Sequence, residues 1–288
     1  MFGLAIRPQN DADAQKTSDA LQVAEAEDPS VQVEHNAALN EVVLLGLGEL
    51  HLATILQQIE DRYSLDLVTS LPSIAYRETI TAKAEGHHRH KKQTGGAGQF
   101  GEVYLRIEPL PQGGGFEFGS AVVGGSIPSQ FIPAVENGVR QAMKEGAILG
   151  YPMQDIKVTV YDGKHHNVDS KEIAFVQAGK KAFLDAVSKA RPIVMEPIVD
   201  AEFSVPSDSV GGVTGDLSGM RGMITGTDAL PDNRALVSGK VPLQELQGYH
   251  SRLKSLTAGD GSFTMDFSHY AEIPANELKQ IQAEAEEA

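Results

Sequence analysis

Two stretches of this chain carry side chains whose types and spacing suit chemistry. Residues 86–101 read GHHRHKKQTGGAGQFG, and residues 164–167 read KHHN. In the first, Arg89, Lys91 and Lys92, interleaved with His87, His88 and His90, stand just before a glycine loop made of Thr94, Gly95, Gly96, Gly98, Gln99 and Gly101. Glycine permits positive φ and lets backbone amides approach a phosphate closely, and a cationic run beside it suits an RNA backbone. The loop is not a nucleoside-triphosphate loop, because no Gly-Lys-Ser/Thr follows and no helix begins there. In the second stretch, Lys164, His165, His166 and Asn167 present a cation, hydrogen-bond donors and two rings able to stack on a base. Two such segments in one chain point to contact with RNA.

Five of the nine histidines lie in these stretches, which raises a metal-dependent hydrolase as an alternative. Against it, adjacent residues of an extended chain point to opposite faces, and no carboxylate sits at ligand spacing within either cluster. Asp216-Leu-Ser-Gly219 resembles the metal turn of GTPases, but without a phosphate loop it is a four-letter coincidence. No Ser/His/Asp arrangement suggests a nucleophile. The chain is not expected to be an enzyme by itself, and no metal or cofactor is expected in it.

The second stretch must be held out by its flanks. Residues 156–160 alternate apolar and polar as a strand, and Asp162-Gly163 favours a turn that ends it. Asp169 or Ser170 then opens a helix, since Asp169 and Glu172 have the spacing of a capping box. Ile173, Phe175, Val176, Ala182, Phe183, Ala186 and Val187 form its apolar stripe. The rest of the chain reads as α+β in three domains. Residues 1–79 follow the order βαββαβ, with helices at 11–26 and 49–62 and Leu50, Ile55, Leu56 and Ile59 on one face of the second. Residues 80–195 contain the two candidate stretches, a helix at 128–144 and the helix after the tip. After a turn-rich junction at 191–197, residues 196–288 repeat βαββαβ, with one helix over 243–256 and a terminal helix docked through Leu278 and Ile281.

Net charge is −15, which taken alone argues against a nucleic-acid partner. Its distribution reverses that. Residues 1–79 hold 4 Lys/Arg against 13 Asp/Glu, residues 80–195 hold 14 against 11, and residues 196–288 hold 6 against 15. The middle third is a basic module between two acidic ones, so a polyanion would meet the middle. The chain lacks Cys, which excludes disulfides and thiolate metal sites and fits a reducing cytoplasm. No apolar run approaches the ~18 residues of a membrane span, and the first residues lack a signal-peptide core; a cytoplasmic protein is expected.

Several segments, in order along the chain, resemble elongation factor G: GLGELHL at 46–52, AYRETI at 75–80, KQTGGAGQFGEV at 92–103, YDGKHHNVDSKEIAF at 161–175, KARPIVMEP at 189–197, GDLSGMRGMI at 215–224 and SFTMDFSHY at 262–270. The likeness is to the third, fourth and fifth domains of that family. It implies two ferredoxin-like domains flanking a ribosomal-protein-like domain with a left-handed crossover. It further implies a GTPase whose GTP and Mg lie in N-terminal domains outside this chain. The implied function is translocation of tRNA and mRNA by a monomer. Domain IV would mimic a tRNA arm and enter the decoding region of small-subunit rRNA, while domain V would meet the factor-binding region of the large subunit. The family's tip histidine falls on His166. Asn167 stands where the family usually has Asp, and Ala97 where it usually has Arg. These departures resemble the elongation-factor-G-like paralogues and leave a role in ribosome recycling as the alternative.

Overall fold

The structure, a computed structural model, describes residues 2–36, 39–93 and 98–287. Of the glycine loop, Thr94, Gly95, Gly96 and Ala97 lie outside the described residues. The chain divides into two units, Met1–Ala75 with Pro197–His269 and Tyr76–Glu196 with Tyr270–Ala288, and each is taken by itself.

In the first unit, β1 (Phe2–Pro8), α1 (Ala14–Glu27), β2 (Gln32–Asn36), β3 (Glu41–Gly46), α2 (Glu49–Tyr63) and β4 (Leu67–Ser70) follow in order. Their antiparallel sheet has strand order β2-β3-β1-β4, the ferredoxin-like arrangement. Asn10 starts the first helical segment by accepting a hydrogen bond from the Ala12 amide at 3.1 Å. Leu21, Leu44, Leu52, Leu56 and Ile59 fill the core. Leu50, expected on the buried face of α2, is 82% exposed. Leu52, Leu56 and Ile59 follow the helical period, whereas a residue two before Leu52 falls on the far side.

In the second unit come β5 (Arg77–Ile80), β6 (Ala84–Lys92), β7 (Gln99–Pro109), β8 (Phe116–Ser120), α3 (Ile132–Glu145), β9 (Ile156–Lys164) and α4 (Glu172–Lys189). The sheet order is β6-β7-β9-β8, with β8 and β9 parallel and joined through α3. Val103, Leu105, Ile107, Val158 and Val160 turn one sheet face toward Val135, Val139, Phe175 and Phe183 of the two helices. α3 and α4 approach closely: a Cβ on Gly138 would overlap the Val176 carbonyl, and one on Gly86 would overlap the backbone of α4 at Ala182.

The expected turn-rich junction at 191–197 is instead the start of β10 (Pro192–Pro206). Its first residues pair with β5, from Pro192 opposite Ile80 to Met195 opposite Arg77. The β-branched Ile193 and Val194 outweigh the prolines once a partner strand is present. One interaction fixes β5. The Glu78 carboxylate, wholly buried, accepts the amides of Ala147, Ile148, Leu149 and Tyr151 at 2.5, 2.9, 2.8 and 3.1 Å. It thereby satisfies the backbone of the loop that follows α3.

The remaining elements are α5 (Val210–Gly219), β11 (Met223–Leu230), β12 (Arg234–Pro242), α6 (Leu243–Leu246), α7 (Tyr249–Leu256), β13 (Ser262–Glu272) and α8 (Ala275–Glu287). Strand order β11-β12-β10-β13 gives the second ferredoxin-like sheet. The single helix expected over 243–256 is broken between α6 and α7, where Gly248 takes φ +73. α8 buries Ile281, as expected of its apolar side. Asp216 of α5 binds Arg252 of α7 through two bonds of 2.5 Å and receives the Tyr249 hydroxyl at 3.5 Å, so this carboxylate is used in packing. Among the described residues no helix is long and apolar enough to cross a membrane.

Two outcomes are expected. Glu78→Gln puts an NH₂ group against backbone amides and should cost at least about 3 kcal/mol by denaturant unfolding, with faster hydrogen exchange at residues 147–151. Burial, then the Asp216 charge, pushes the Tyr249 hydroxyl up to about 12. The unfolded tyrosine ionises near 10, so this stabilisation is complete below that pH and is lost as the pH rises toward 12. Tyr249→Phe should flatten that part of the alkaline unfolding curve.

Candidate nucleic-acid interface

The run GHHRHKK folds as β6 itself, so its side chains alternate between two faces. Arg89 and Lys91 stand opposite Glu102 and Phe100 of β7, while His88 and His90 stand opposite Val103 and Gly101. Burial, then the neighbouring Lys181, pushes the His88 imidazole below its usual range. His87 bonds Glu102 through Nε2 at 2.8 Å and stacks on Tyr104 at 4.1 Å. His90 Nε2 lies 3.2 Å from Gln99 Oε1, and His165 Nδ1 donates to the Ser126 carbonyl at 3.1 Å. Among the described residues no three His, Asp or Glu side chains converge as metal ligands.

Two residues assigned to the glycine loop belong to a strand. β7 begins at Gln99, and Gly101 sits where a Cβ would press on Ala174 and the Phe175 amide of α4. Gly101 therefore serves helix packing. Gly98 leaves room for the Asp169 carboxylate, which a Cβ there would overlap.

The expected turn at Asp162-Gly163 is also corrected. β9 continues through both to Lys164, with a register shift between Tyr104 and Leu105 of its partner. Neither residue has the positive φ that a two-residue hairpin turn needs, and Gly163 lies against the Glu102 carbonyl of β7. The expected capping box is absent as well. α4 starts at Glu172 behind Lys171, with no side-chain cap. Ser170 is engaged elsewhere: its Oγ accepts the His166 amide at 2.8 Å and donates to the Phe100 carbonyl at 3.0 Å. The Phe100 amide in turn donates to the Asp169 carbonyl at 2.9 Å. The tip is thus clasped to the first residues of β7.

His166 organises the rest. Its Nδ1 accepts the amides of Val168 and Asp169 at 3.3 and 3.2 Å, which assigns the neutral ring's proton to Nε2. Asp169 Oδ2 lies 3.4 Å from the same Nδ1, but that nitrogen is already an acceptor and the contact carries no proton. The ring meets Phe100 edge-on at 6.3 Å, and the Arg89 guanidinium lies 5.2 Å from the Phe100 centroid.

The structure brings Arg89, Lys91, Lys92, Gln99 and His166 together around a notch of about 150 Å³, also lined by Gln93. Phe100 and Asp169 complete it, and sequence reasoning missed both. Phe100 had a signal, an aromatic residue directly after the cationic and glycine run. Lys164, His165 and Asn167 lie on the tip outside the notch, beside Val168, which is 79% exposed.

The chain matches family profiles for three consecutive pieces: Elongation Factor G, domain III over residues 1–70, Elongation factor G, domain IV over residues 72–191, and the Elongation factor G C-terminus over residues 193–281. It is 43% identical to the elongation factor G of Aquifex pyrophilus over 282 residues, 98% of this chain and 40% of that protein. It is 40% identical to an elongation factor G-like protein of Thermotoga maritima over 281 residues, 98% of this chain and 41% of that protein. A crystal structure from Thermus thermophilus superposes over all of this chain and 43% of its own length, with a TM-score of 0.85 at 38% identity. The chain thus spans about two fifths of the relatives it matches. The three profiles and the two ferredoxin-like sheets agree, and the chain belongs to the elongation factor G family, of which it carries domains III, IV and the C-terminal domain.

Proposed function

We propose that this chain is the ribosome-engaging portion of a translational GTPase, promoting movement of tRNA and mRNA in the cytoplasm. The site that hydrolyses GTP, with its Mg, belongs to the part of the relatives that this chain does not span. The observation that carries the reading is the convergence at one tip of His166, Arg89, Lys91, Lys92 and Phe100, a donor, three cations and stacking rings. Domain IV would place this tip in the decoding region against small-subunit rRNA and the tRNA–mRNA pair, with Thr94, Gly95, Gly96, Gly98, Lys164, His165 and Asn167 as further contacts. The C-terminal domain would meet the large subunit's factor-binding region, and the factor would act as a monomer. Its action is steric and electrostatic, since an occupied A site blocks backward movement. A second reading, ribosome recycling or regulated translocation, is favoured by Asn167 and Ala97 standing where the family usually has Asp and Arg.

Two measurements test this. His166→Ala in a full-length factor carrying these domains removes the outward Nε2–H and the ring. It should slow tRNA movement about tenfold, the scale of one lost hydrogen bond or stacking contact, while ribosome-stimulated GTP hydrolysis stays near wild type. His166→Asn, whose Oδ1 can accept the Val168 amide, should keep the loop ordered and still be slow, separating contact from scaffold. Equal loss of hydrolysis and movement would refute a separate functional tip, and slow subunit splitting with normal movement would favour recycling. In the second measurement, binding of the 288-residue chain to ribosomes should weaken about fifteenfold between 50 and 200 mM salt. Three cations facing single-stranded phosphates give a slope of roughly −2 in log–log terms.

A further inference from the structure

Arg89, Lys91 and Lys92 share the tip notch with the Asp169 carboxylate, yet none of these cations forms an ion pair among the described residues. Asp169 is one-third exposed, and among the described residues its carboxylate makes only the 3.4 Å approach to His166 Nδ1, which carries no proton. Among the described residues its carboxylate thus has no donor, and it shares the lining with three cations. The wall beside it is aromatic, with Phe100 between the Arg89 guanidinium and the His166 edge. The space, about 150 Å³, is roughly what one six-membered ring needs. Phosphate binding alone would be weakened by a carboxylate in the lining, so the notch suits something that carries a donor as well as negative charge.

We propose that the notch takes one unstacked cytosine of a single-stranded RNA segment. Cytosine's pairing edge presents the N4 amino group as donor with N3 and O2 as acceptors. The amino group would donate to Asp169, as carboxylates read cytosine elsewhere, while the acceptors meet the cationic side. The ring stacks on Phe100, and Lys91 and Lys92 hold the flanking phosphates. Uracil would turn its O4 toward the same carboxylate and is disfavoured. Adenine has the right donor but a second ring, and a space of about 150 Å³ favours the smaller base. The proposal rests on the RNA-facing reading of this domain and adds base choice to it.

The experiment compares binding of the 288-residue chain to fluorescent octaribonucleotides: all uridine, uridine with one central cytosine, uridine with one central adenosine, and the cytosine octamer annealed to its complement. Fluorescence anisotropy is read at pH 7.5 in low salt. The single cytosine should tighten binding about tenfold over all uridine, and adenosine or the duplex should not. Asp169→Asn, whose amide accepts and donates, should bring cytosine and uridine to within about twofold while the thermal unfolding midpoint stays unchanged. Phe100→Leu should weaken both octamers. Equal binding of cytosine and uridine by the wild type, with salt-sensitive affinity retained, overturns the base subsite and leaves the RNA-facing reading standing. Adenosine binding as tightly as cytosine overturns it too, and no RNA binding at any salt overturns both.

Discussion

The close seating of α4 on the sheet is the constraint on which domain IV depends. α4 packs on β6, β7 and α3 at once, and each approach leaves no space for a side chain at a particular position. Gly86 and Gly101 admit the helix to the sheet, and Gly138 admits it to α3. Because β6 and β7 carry Arg89, Lys91 and Phe100, the helix that sets their depth also fixes where the cations stand. The chain leaving β9 must then reach the first turn of α4 past the same strands, and the clasp of Ser170 on Phe100 closes that path. Packing and site are thus one arrangement: a methyl group added beneath α4 would displace the tip without touching it.

Much of this was legible in the sequence. The two βαββαβ orders came from periodicity, and both sheets have the strand order of that topology. Arg89, Lys91, Lys92 and His166 stood out by residue type, and the notch brings these four together. The errors were local and share a cause. Asp162-Gly163 looks like a turn, and Asp169 with Glu172 looks like a capping box, when only neighbours in sequence are considered. In the fold Gly163 is needed for contact with β7, and Ser170 is drawn to a carbonyl seventy residues away. Local rules yield where a long-range partner offers a better-buried bond. The basic run gave no strand signal because alternation of His, Arg and Lys is invisible to a hydrophobic pattern.

Glu78 shows the same competition from the other side. A carboxylate in a strand read simply as the entry to the middle domain satisfies four amides of a distant loop. Nothing in residues 147–151 marks them as needing an acceptor, since the requirement belongs to the backbone and not to any side chain.

The cationic strand has one more consequence, independent of any partner. In the order β6-β7-β9-β8, β6 is an edge. An open edge offers unpaired amides and carbonyls to any extended chain, and folds that leave one bare invite chains to stack into ladders. Here the exposed rim carries Arg89, Lys91 and Lys92 within four successive positions, so a second copy arriving in register would set like charge against like charge. Whatever these residues do for binding, their like charges oppose such pairing along that margin, where Asp185 of α4 already takes the His87 amide.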